Sequence, residues 1–243
     1  MIESQQSRTN LLTYAQEQAQ NHTCYLFFSR YNEFFVLKEI CQNYNADTHA
    51  IDIVAYTYNP SYKHRFQPIG NISAQITTNP TESNLHAMAL SILTVNEAYK
   101  NHGLGHALIS LMQKRAIDFG CVSIKSIFQP HGFLQPNNPR NVSYLQNFYG
   151  KHGLHIRVFR EEDLVGKELY GNFRSPTIKE LYHKTLKELS ATTLSENIKI
   201  YNPFHVNLPP EIQSIQKRTS TKQINAHTAN IFTTEETNNE RAK

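Results

Sequence analysis

Two glycines separated by one residue, Gly103 and Gly105, stand between an apolar stretch and an amphipathic stretch of the chain. Glycine lets a bulky anion approach the backbone, and the first N–H groups of a helix are unpaired and lie at the positive end of its dipole. Lys100, His102 and His106 add donors or charge nearby. These residue types in this order predict a cradle for phosphate groups.

Two common phosphate-binding motifs do not match this stretch. No Gly-Lys-Ser/Thr follows, as a P-loop requires, and the position three residues after Gly105 is Leu108, so the dinucleotide fingerprint is also incomplete. A Gly-x-Gly pair alone also occurs where a strand and a helix pack closely. The motif by itself therefore leaves tight packing open as an alternative to anion binding.

The elements around the glycines form a strand–helix–strand unit. Residues 85–95 are apolar on both alternating faces, which predicts a central strand that is covered on two sides. Residues 104–119 carry an apolar stripe at helical spacing and are followed by Gly120, a typical helix stop. Residues 121–128 predict the next strand. Such a crossover places the two strands parallel to each other.

Shorter patterns predict the rest of the architecture. Residues 50–58 and 69–77 favour antiparallel strands before the central strand. After it, Asn138-Pro139 predicts the start of a helix, residues 154–160 a last strand, and Ser175-Pro176 a further helix. The predicted fold class is mixed α/β (α+β), with a central sheet and helices on both faces.

Both ends of the chain are predicted to differ from the middle. Two sets of apolar residues recur at helical spacing near the N-terminus, the second after Asn32 as a cap. The sets are Leu11, Leu12, Ala15 and Ala19, and Phe34, Leu37, Cys41 and Tyr44. From about residue 190 the chain has no glycine and many Thr, Asn, Gln and Lys residues, which predicts mobility. We therefore expect an N-terminal helical segment at 1–48, a core at 49–160, a helical extension at 161–190 and a polar, mobile tail at 191–243.

Composition argues against several classes of protein. The net charge of +4, from 24 basic and 20 acidic residues, is too small to indicate nucleic-acid binding. No apolar run approaches the roughly 18 residues that a membrane span needs. Cys24, Cys41 and Cys121 form no Cys-x-x-Cys motif, and the 12 histidines show no metal-ligand spacing. We expect no metal, no nucleic-acid or membrane partner and a reducing, cytoplasmic location.

The polar N-terminus, which carries Glu3, does not look like a secretory signal. The C-terminal stretch carries acidic residues, so a secreted bacterial effector stays open as a minor alternative. The oligomeric state is not predicted.

The motifs together resemble the GNAT superfamily of acetyltransferases. The family's cofactor motif, Arg/Gln-x-x-Gly-x-Gly/Ala, corresponds to residues 100–105, and residues 93–95 correspond to the strand end that pairs with the pantetheine arm. Residues 147–154 resemble the family's Phe-Tyr-x-x-x-Gly-Phe segment, in the usual order and separation. The resemblance covers residues 50–160. It implies a GNAT-like, mostly antiparallel sheet with a parallel strand pair that splays around the cofactor.

The resemblance implies that residues 49–160 are an acyl-CoA-binding acetyltransferase core. Acetyl-CoA would be the co-substrate, and an amine of a small molecule or protein would attack the thioester directly. The implied cofactor contacts are Leu93, Thr94, Val95, Lys100, Asn101, His102, Gly103, Leu104, Gly105, His106, Asn141 and Tyr149. Lys100 replaces the usual Arg or Gln, Leu154 replaces Phe, and Asn141 lies eight rather than seven residues before Tyr149.

Tyr149 occupies the family position of the acid that protonates the departing thiolate, and a phenol with a pKa near 10 suits that role. The general base stays open among His86, Glu97, Asp52 and a relaying water. The backbone amide of Val95 is the expected donor to the thioester carbonyl. An alternative function also stays open, a catalytically inactive GNAT-like domain that binds CoA or a protein partner.

Overall fold

One sheet of ten strands dominates the computed structural model, which describes residues 5–45, 48–78, 86–128, 139–161, 164–190 and 193–215. Four helices of twelve or more residues accompany the sheet within these residues, residues 210–215 are also helical, and a short 3₁₀ turn (Glu97–Tyr99) precedes the second helix. The helices are α1 (Gln5–Gln18), α2 (Leu104–Asp118), α3 (Pro139–Gly150) and α4 (Pro176–Ser190). The strands are β1 (Thr23–Phe28), β2 (Phe34–Asn45), β3 (Thr48–Tyr58), β4 (Phe66–Thr78), β5 (His86–Val95), β6 (Cys121–Phe128), β7 (His155–Glu161), β8 (Leu164–Asn172), β9 (Thr193–Ser195) and β10 (Ile198–Tyr201).

The strand order is β7-β8-β6-β5-β4-β3-β2-β1-β10-β9. Strands β1 to β5 form an antiparallel meander, and β5 and β6 form the predicted parallel pair. The pairing of β5 with β6 runs only from His86 opposite Cys121 to Met88 opposite Ile124. Pairing of β5 with β4 continues to its last residue, Val95. The predicted fold class is confirmed, including a parallel pair that splays apart.

Two apolar cores lie on opposite faces of this sheet. The larger core contains one face of α2, with Leu104, Leu108 and Leu111 buried against β3, β4 and β5. The smaller core contains Leu11 and Ala15 of α1, which packs against β1, β2 and β3. Both helices bury a stripe of residues at helical spacing, as the sequence predicted.

The central strand β5 differs from the prediction in its exposure. Met88 and Leu90 are buried under α2, but Ile92 is 42% exposed, because the register with β4 shifts between Leu90 and Ile92 and turns Ile92 to the face that α2 does not cover. The alternation is therefore that of an antiparallel strand with one covered face.

The predicted helix that begins near Phe34 is wrong. Those residues form β2, and Asn32 has a positive φ of 59° in the turn before it instead of capping a helix. Phe34, Phe35, Val36 and Leu37 are all buried, because β2 has a core on each face. A continuous apolar run fits both helical and strand periodicity, and the sheet decides between them.

The boundaries predicted for the C-terminal half also need correction. Residues 164–172 form β8, which lies between β6 and β7, so the segment 161–190 is helical only in α4. In the predicted mobile tail, Leu194, Ile198, Ile200 and Ile212 are buried in the smaller core. The reason is that β10 pairs in parallel with β1 and completes the sheet on that side. Residues 216–243 lie outside the described part of the chain.

We expect Ile200→Ala to lower the free energy of unfolding by about 2–5 kcal/mol, because it leaves a cavity beside Leu26 in the smaller core. Lys199→Ala, one residue earlier on the less buried face of β10, is the control and should change stability by less than about 0.5 kcal/mol. Urea unfolding measures both. Equal stability of the Ile200 variant and the wild type would show that β10 is not part of the cooperative core.

Candidate active site

The start of α2 has the geometry of an anion site. Gly103 caps the helix with a positive φ of 84°, which favours glycine, and its carbonyl accepts the first helical hydrogen bond from the N–H of Ala107 at 3.0 Å. The N–H groups of Leu104, Gly105 and His106 precede that bond and have no partner within the helix. The backbone conformation that the sequence predicted at Gly103 and the first turn of α2 is therefore present.

A cleft of about 440 Å³ opens at these N–H groups, between the end of β5, the first turn of α2 and α3. Nine of the predicted contact residues line it: Leu93, Val95, Lys100, Asn101, Gly103, Leu104, Gly105, His106 and Tyr149. Five residues that the sequence analysis did not propose also line it: Arg30, Tyr99, Tyr144, Leu145 and Phe148. The glycine motif thus predicted where the cleft lies, but it did not identify all of the residues that line it.

The end of β5 turns backbone groups toward this cleft. The N–H of Asn96 donates to the carbonyl of Ile69 on β4 at 2.7 Å, and Val95 lies opposite Gly70. Hydrogen-bonded and non-bonded pairs alternate in an antiparallel ladder, so Val95 belongs to a non-bonded pair. Its N–H and C=O therefore point away from β4, toward the side on which β6 has diverged.

Tyr149 lies on α3 at the wall of the cleft, and only 4% of its surface is exposed. Its ring packs edge-on against Phe148, with the centroids 5.0 Å apart. Burial is the main cause that raises the pKa of Tyr149 well above the ordinary phenol value. The hydroxyl is therefore protonated at neutral pH and can donate a hydrogen bond.

Three of the predicted contact residues, His102, Thr94 and Asn141, are not among the described residues that line the cleft. The side chain of His102 turns away from the cleft, and its Nδ1 lies 2.5 Å from Oε2 of Glu33. The hydroxyl of Thr94 donates to Oδ1 of Asn71 at 2.5 Å, on the other face of the sheet. The side chain of Asn141 lies outside the described residues. Neither His102 nor Thr94 is among the side chains that line the cleft, because side chains alternate along β5 and the loop folds back at His102.

The predicted side-chain bases are not brought to the cleft. His86 lies at the opposite end of β5 from Val95, roughly 30 Å away at the usual rise of a strand. The side chain of Glu97 is 83% exposed and pairs with Lys100. Asp52 lies on β3 opposite Ser73, away from the cleft. Proximity in sequence did not show at which end of a strand, or on which face, each group would lie.

A histidine pair supports the wall of the cleft and was missed by the sequence analysis. Nδ1 of His106 lies 2.8 Å from Nε2 of His152, whose carbonyl accepts a hydrogen bond from Nε2 of Gln113 at 2.8 Å. Burial, followed by the charge of His106, lowers the pKa of His152 to about 3. Burial also lowers the pKa of His106, as do Lys151 and Arg30. Both rings are therefore neutral near pH 7, and one donates to the other.

Cys121 remains a packing residue, as the sequence analysis expected. It is 5% exposed, and burial raises the pKa of its thiol to about 12, so it carries no thiolate at neutral pH. Within the described ranges, no group of three or more His, Cys, Asp or Glu side chains could hold a metal ion. Over the same ranges, no helix has the length and apolar character to cross a bilayer.

Solved structures similar to this chain include members of the predicted family. A chain of the NatC complex bound to Gag peptide and CoA is 14% identical, with a TM-score of 0.38 over 50% of this chain and 70% of that one. A GNAT acetyltransferase from Staphylococcus aureus is 16% identical, with a TM-score of 0.34 over 51% and 69%. The IAA acetyltransferase from Bacillus cereus is 17% identical, with a TM-score of 0.33 over 51% and 77%. No protein-family model and no curated protein matches the sequence.

We expect the histidine pair to make stability depend on pH. The unfolded chain binds a proton at His152 as pH falls through about 6.5, whereas the folded protein resists until about pH 3, so the free energy of unfolding falls as pH falls. The slope reaches at most about 1.4 kcal/mol per pH unit for one such group.

Urea unfolding between pH 5 and pH 8 measures that slope. His152→Gln should flatten the curve, whereas His183→Gln, an exposed imidazole on α4, should leave it as in the wild type. Parallel curves for the wild type and the His152 variant would contradict the expectation.

Proposed function

We propose that the chain binds an acyl-CoA, in the first place acetyl-CoA, in this cleft and transfers the acyl group to an amine. One observation carries the proposal: the unpaired N–H groups at the start of α2 and the unpaired backbone of Val95 open onto the same cleft. An acyl-CoA has a diphosphate at one end and an amide-bearing arm that leads to a thioester. It matches both features at once.

The diphosphate would lie at the first turn of α2. The N–H groups of Leu104, Gly105 and His106 face it, and the positive end of the helix dipole favours its charge. The absence of side chains at Gly103 and Gly105 leaves room for the phosphate oxygens to approach the backbone. Lys100 lies on the same wall and adds a cation.

The pantetheine arm would take the place that β6 leaves beside β5. The backbone of Leu93 and Val95 points to that side, so the amides of the arm can pair with it as another strand would. The side chains of Leu93, Leu145 and Phe148 supply apolar surface for the methyl and methylene groups of the arm. This arrangement sets the thioester near the end of β5.

The chemistry then needs only a few groups. The N–H of Val95 would donate to the thioester oxygen as negative charge develops on it, and Tyr149 would protonate the departing thiolate. The raised pKa of Tyr149 keeps the hydroxyl protonated before the reaction, so it can donate a hydrogen bond to the sulfur as negative charge develops there. The amine attacks directly, without an acyl-enzyme.

A water molecule is our proposal for the group that removes the proton of the amine. Among the described residues that line the cleft there is no carboxylate, and His106 is bound to His152 at the phosphate end. A relaying water can remove the proton without a carboxylate or an imidazole in the cleft.

The free thiols of Cys24, Cys41 and Cys121 are typical of a reducing compartment and support a cytoplasmic location.

We expect Gly105→Glu to abolish binding of acetyl-CoA. The position is helical, and the nearest side-chain atoms to a Cβ there are those of the Phe148 ring at 3.5 Å and Val95 at 3.8 Å, which is ordinary contact, so the variant should fold. A carboxylate in the first turn also stabilises the helix through its dipole, but it repels the diphosphate. Titration calorimetry should give a micromolar Kd for the wild type, about −8 kcal/mol, and no binding for the variant.

Gly150→Glu is the matched control, because it adds the same charge where no heavy atom lies within 4 Å of the new Cβ. It should bind acetyl-CoA as the wild type does. A folded wild type that binds no acetyl-CoA would refute the proposed function.

We expect Tyr149→Phe to lower kcat by about 10²-fold or more and to leave KM for acetyl-CoA nearly unchanged, because it removes only the proton donor. Release of CoA thiol in the presence of a panel of amines measures the rate. Tyr144→Phe is the control, since Tyr144 lies on the same helix and lines the cleft but is 66% exposed. Binding without transfer to any amine would favour the inactive CoA-binding domain over the enzyme.

A further inference from the structure

The C-terminal part of the described chain returns to the glycine loop. After β10 the chain turns at Asn202, whose side chain accepts from the N–H of Val206 at 3.0 Å and donates to its carbonyl at 2.8 Å. This turn sets the ring of Phe204 against Gly103, where an added Cβ would lie 2.4 Å from the ring. Phe27 packs on the same ring, with the centroids 6.3 Å apart. The ring of Phe204 therefore packs against Gly103, whose backbone lies in the left-handed region.

The turn between β1 and β2 reaches the same loop from another direction. The hydroxyl of Ser29 accepts from the N–H groups of Tyr31 and Glu33, both at 3.2 Å, and so shapes the turn. Oε2 of Glu33 then lies 2.5 Å from Nδ1 of His102, and the ring of Tyr31 packs edge-on against the imidazole at 4.9 Å. These contacts clamp the turn to the residues just before Gly103.

Arg30 lies at the tip of that clamped turn. The carbon of its guanidinium group lies 5.6 Å from the centroid of Phe204, and the side chain lines the cleft. Within the described residues no carboxylate lies at ion-pair distance from Arg30, whereas Lys100 on the same wall is paired with Glu97. The positive charge of Arg30 also lowers the pKa of His106, which lies in the first turn of α2.

We propose that Arg30 binds the diphosphate of the acyl-CoA and that Phe204 positions it for that contact. A guanidinium is always charged and presents a planar fork of donors, which suits two oxygens of one phosphate group. Stacking on Phe204 holds the fork at the cleft without consuming any donor. The inference rests on the proposed function and adds to it a cation supplied from outside the glycine motif.

The test compares Arg30→Gln with Arg174→Gln by titration calorimetry with CoA and with 3′-dephospho-CoA. Arg174 is exposed in the turn after β8, at the end of the sheet opposite to Val95, and serves as the control. Losing a charge-assisted contact should weaken binding of both ligands by the same factor, about 10- to 100-fold. The control should bind both as the wild type does.

Each other result overturns the inference. A loss confined to CoA would place Arg30 at the 3′-phosphate, not at the diphosphate, and an unchanged Kd for both ligands would remove Arg30 from the site. A wild type that binds neither ligand would instead refute the proposed function itself. The two failures are therefore distinguishable.

A double-mutant cycle tests the role of Phe204. Phe204→Leu keeps apolar contact with Gly103 but removes the aromatic face beneath Arg30, so it should weaken CoA binding about 3- to 10-fold in the wild type and hardly at all in the Arg30→Gln background. Equal weakening in both backgrounds would mean that Phe204 acts only by packing on Gly103. Thermal unfolding of each variant confirms that the comparison is between folded proteins.

Discussion

The divergence of β5 from β6 is the constraint on which the rest of the site depends. The β4 ladder continues to Val95, whereas β6 pairs only with the first residues of β5, so the end of β5 keeps one side open. The hydroxyl of Ser126, which donates to the carbonyl of Leu90, is the last link between the two strands that the described residues show. The N–H and C=O groups on that open side face the cleft instead of a neighbouring strand. They are therefore available to pair with a ligand in the cleft.

The opening keeps its shape because α2 is fixed at both ends. Near its C-terminus, Nε of Arg115 lies 2.7 Å from Oε1 of the buried Glu39, whose Oε2 accepts from the hydroxyl of Tyr25 at 2.8 Å. Such a carboxylate is costly to bury and costly to leave unpaired, so the partners hold one register of helix on sheet. At the N-terminus, Phe204 packs on Gly103. The first turn of α2 is therefore placed by contacts on two sides of the molecule and not by its own sequence alone.

The sequence predicted the parts of the site that depend on local patterns. The stripe of α2, the glycines before it and the strand β6 are each visible within about fifteen residues, so their positions were correct. Arg30 and Phe204 could not be predicted in the same way, because nothing near either residue indicates that β1 pairs with β10. The wrong helix at Phe34 has a related cause: an apolar run that is buried on both faces carries no periodicity of its own. His86 was proposed from its residue type, but the length of β5 places it far from the cleft.

The two ends of the cleft differ in exposure, and the difference suits the two halves of the proposed ligand. Arg30 and Lys100 are exposed, so water screens their charges and a diphosphate can enter and leave without a large desolvation cost. Tyr149 and the core behind it are buried, so a hydrogen bond to a developing charge at that end is made in a medium of low dielectric and is stronger than in water. In the proposed function, the contacts to the diphosphate and the reaction at the thioester thereby lie at different ends of the cleft. Gly103 and Arg30 both contact Phe204, which follows β10, so the exposed end of the cleft depends on a residue that the pairing of β10 with β1 brings into place.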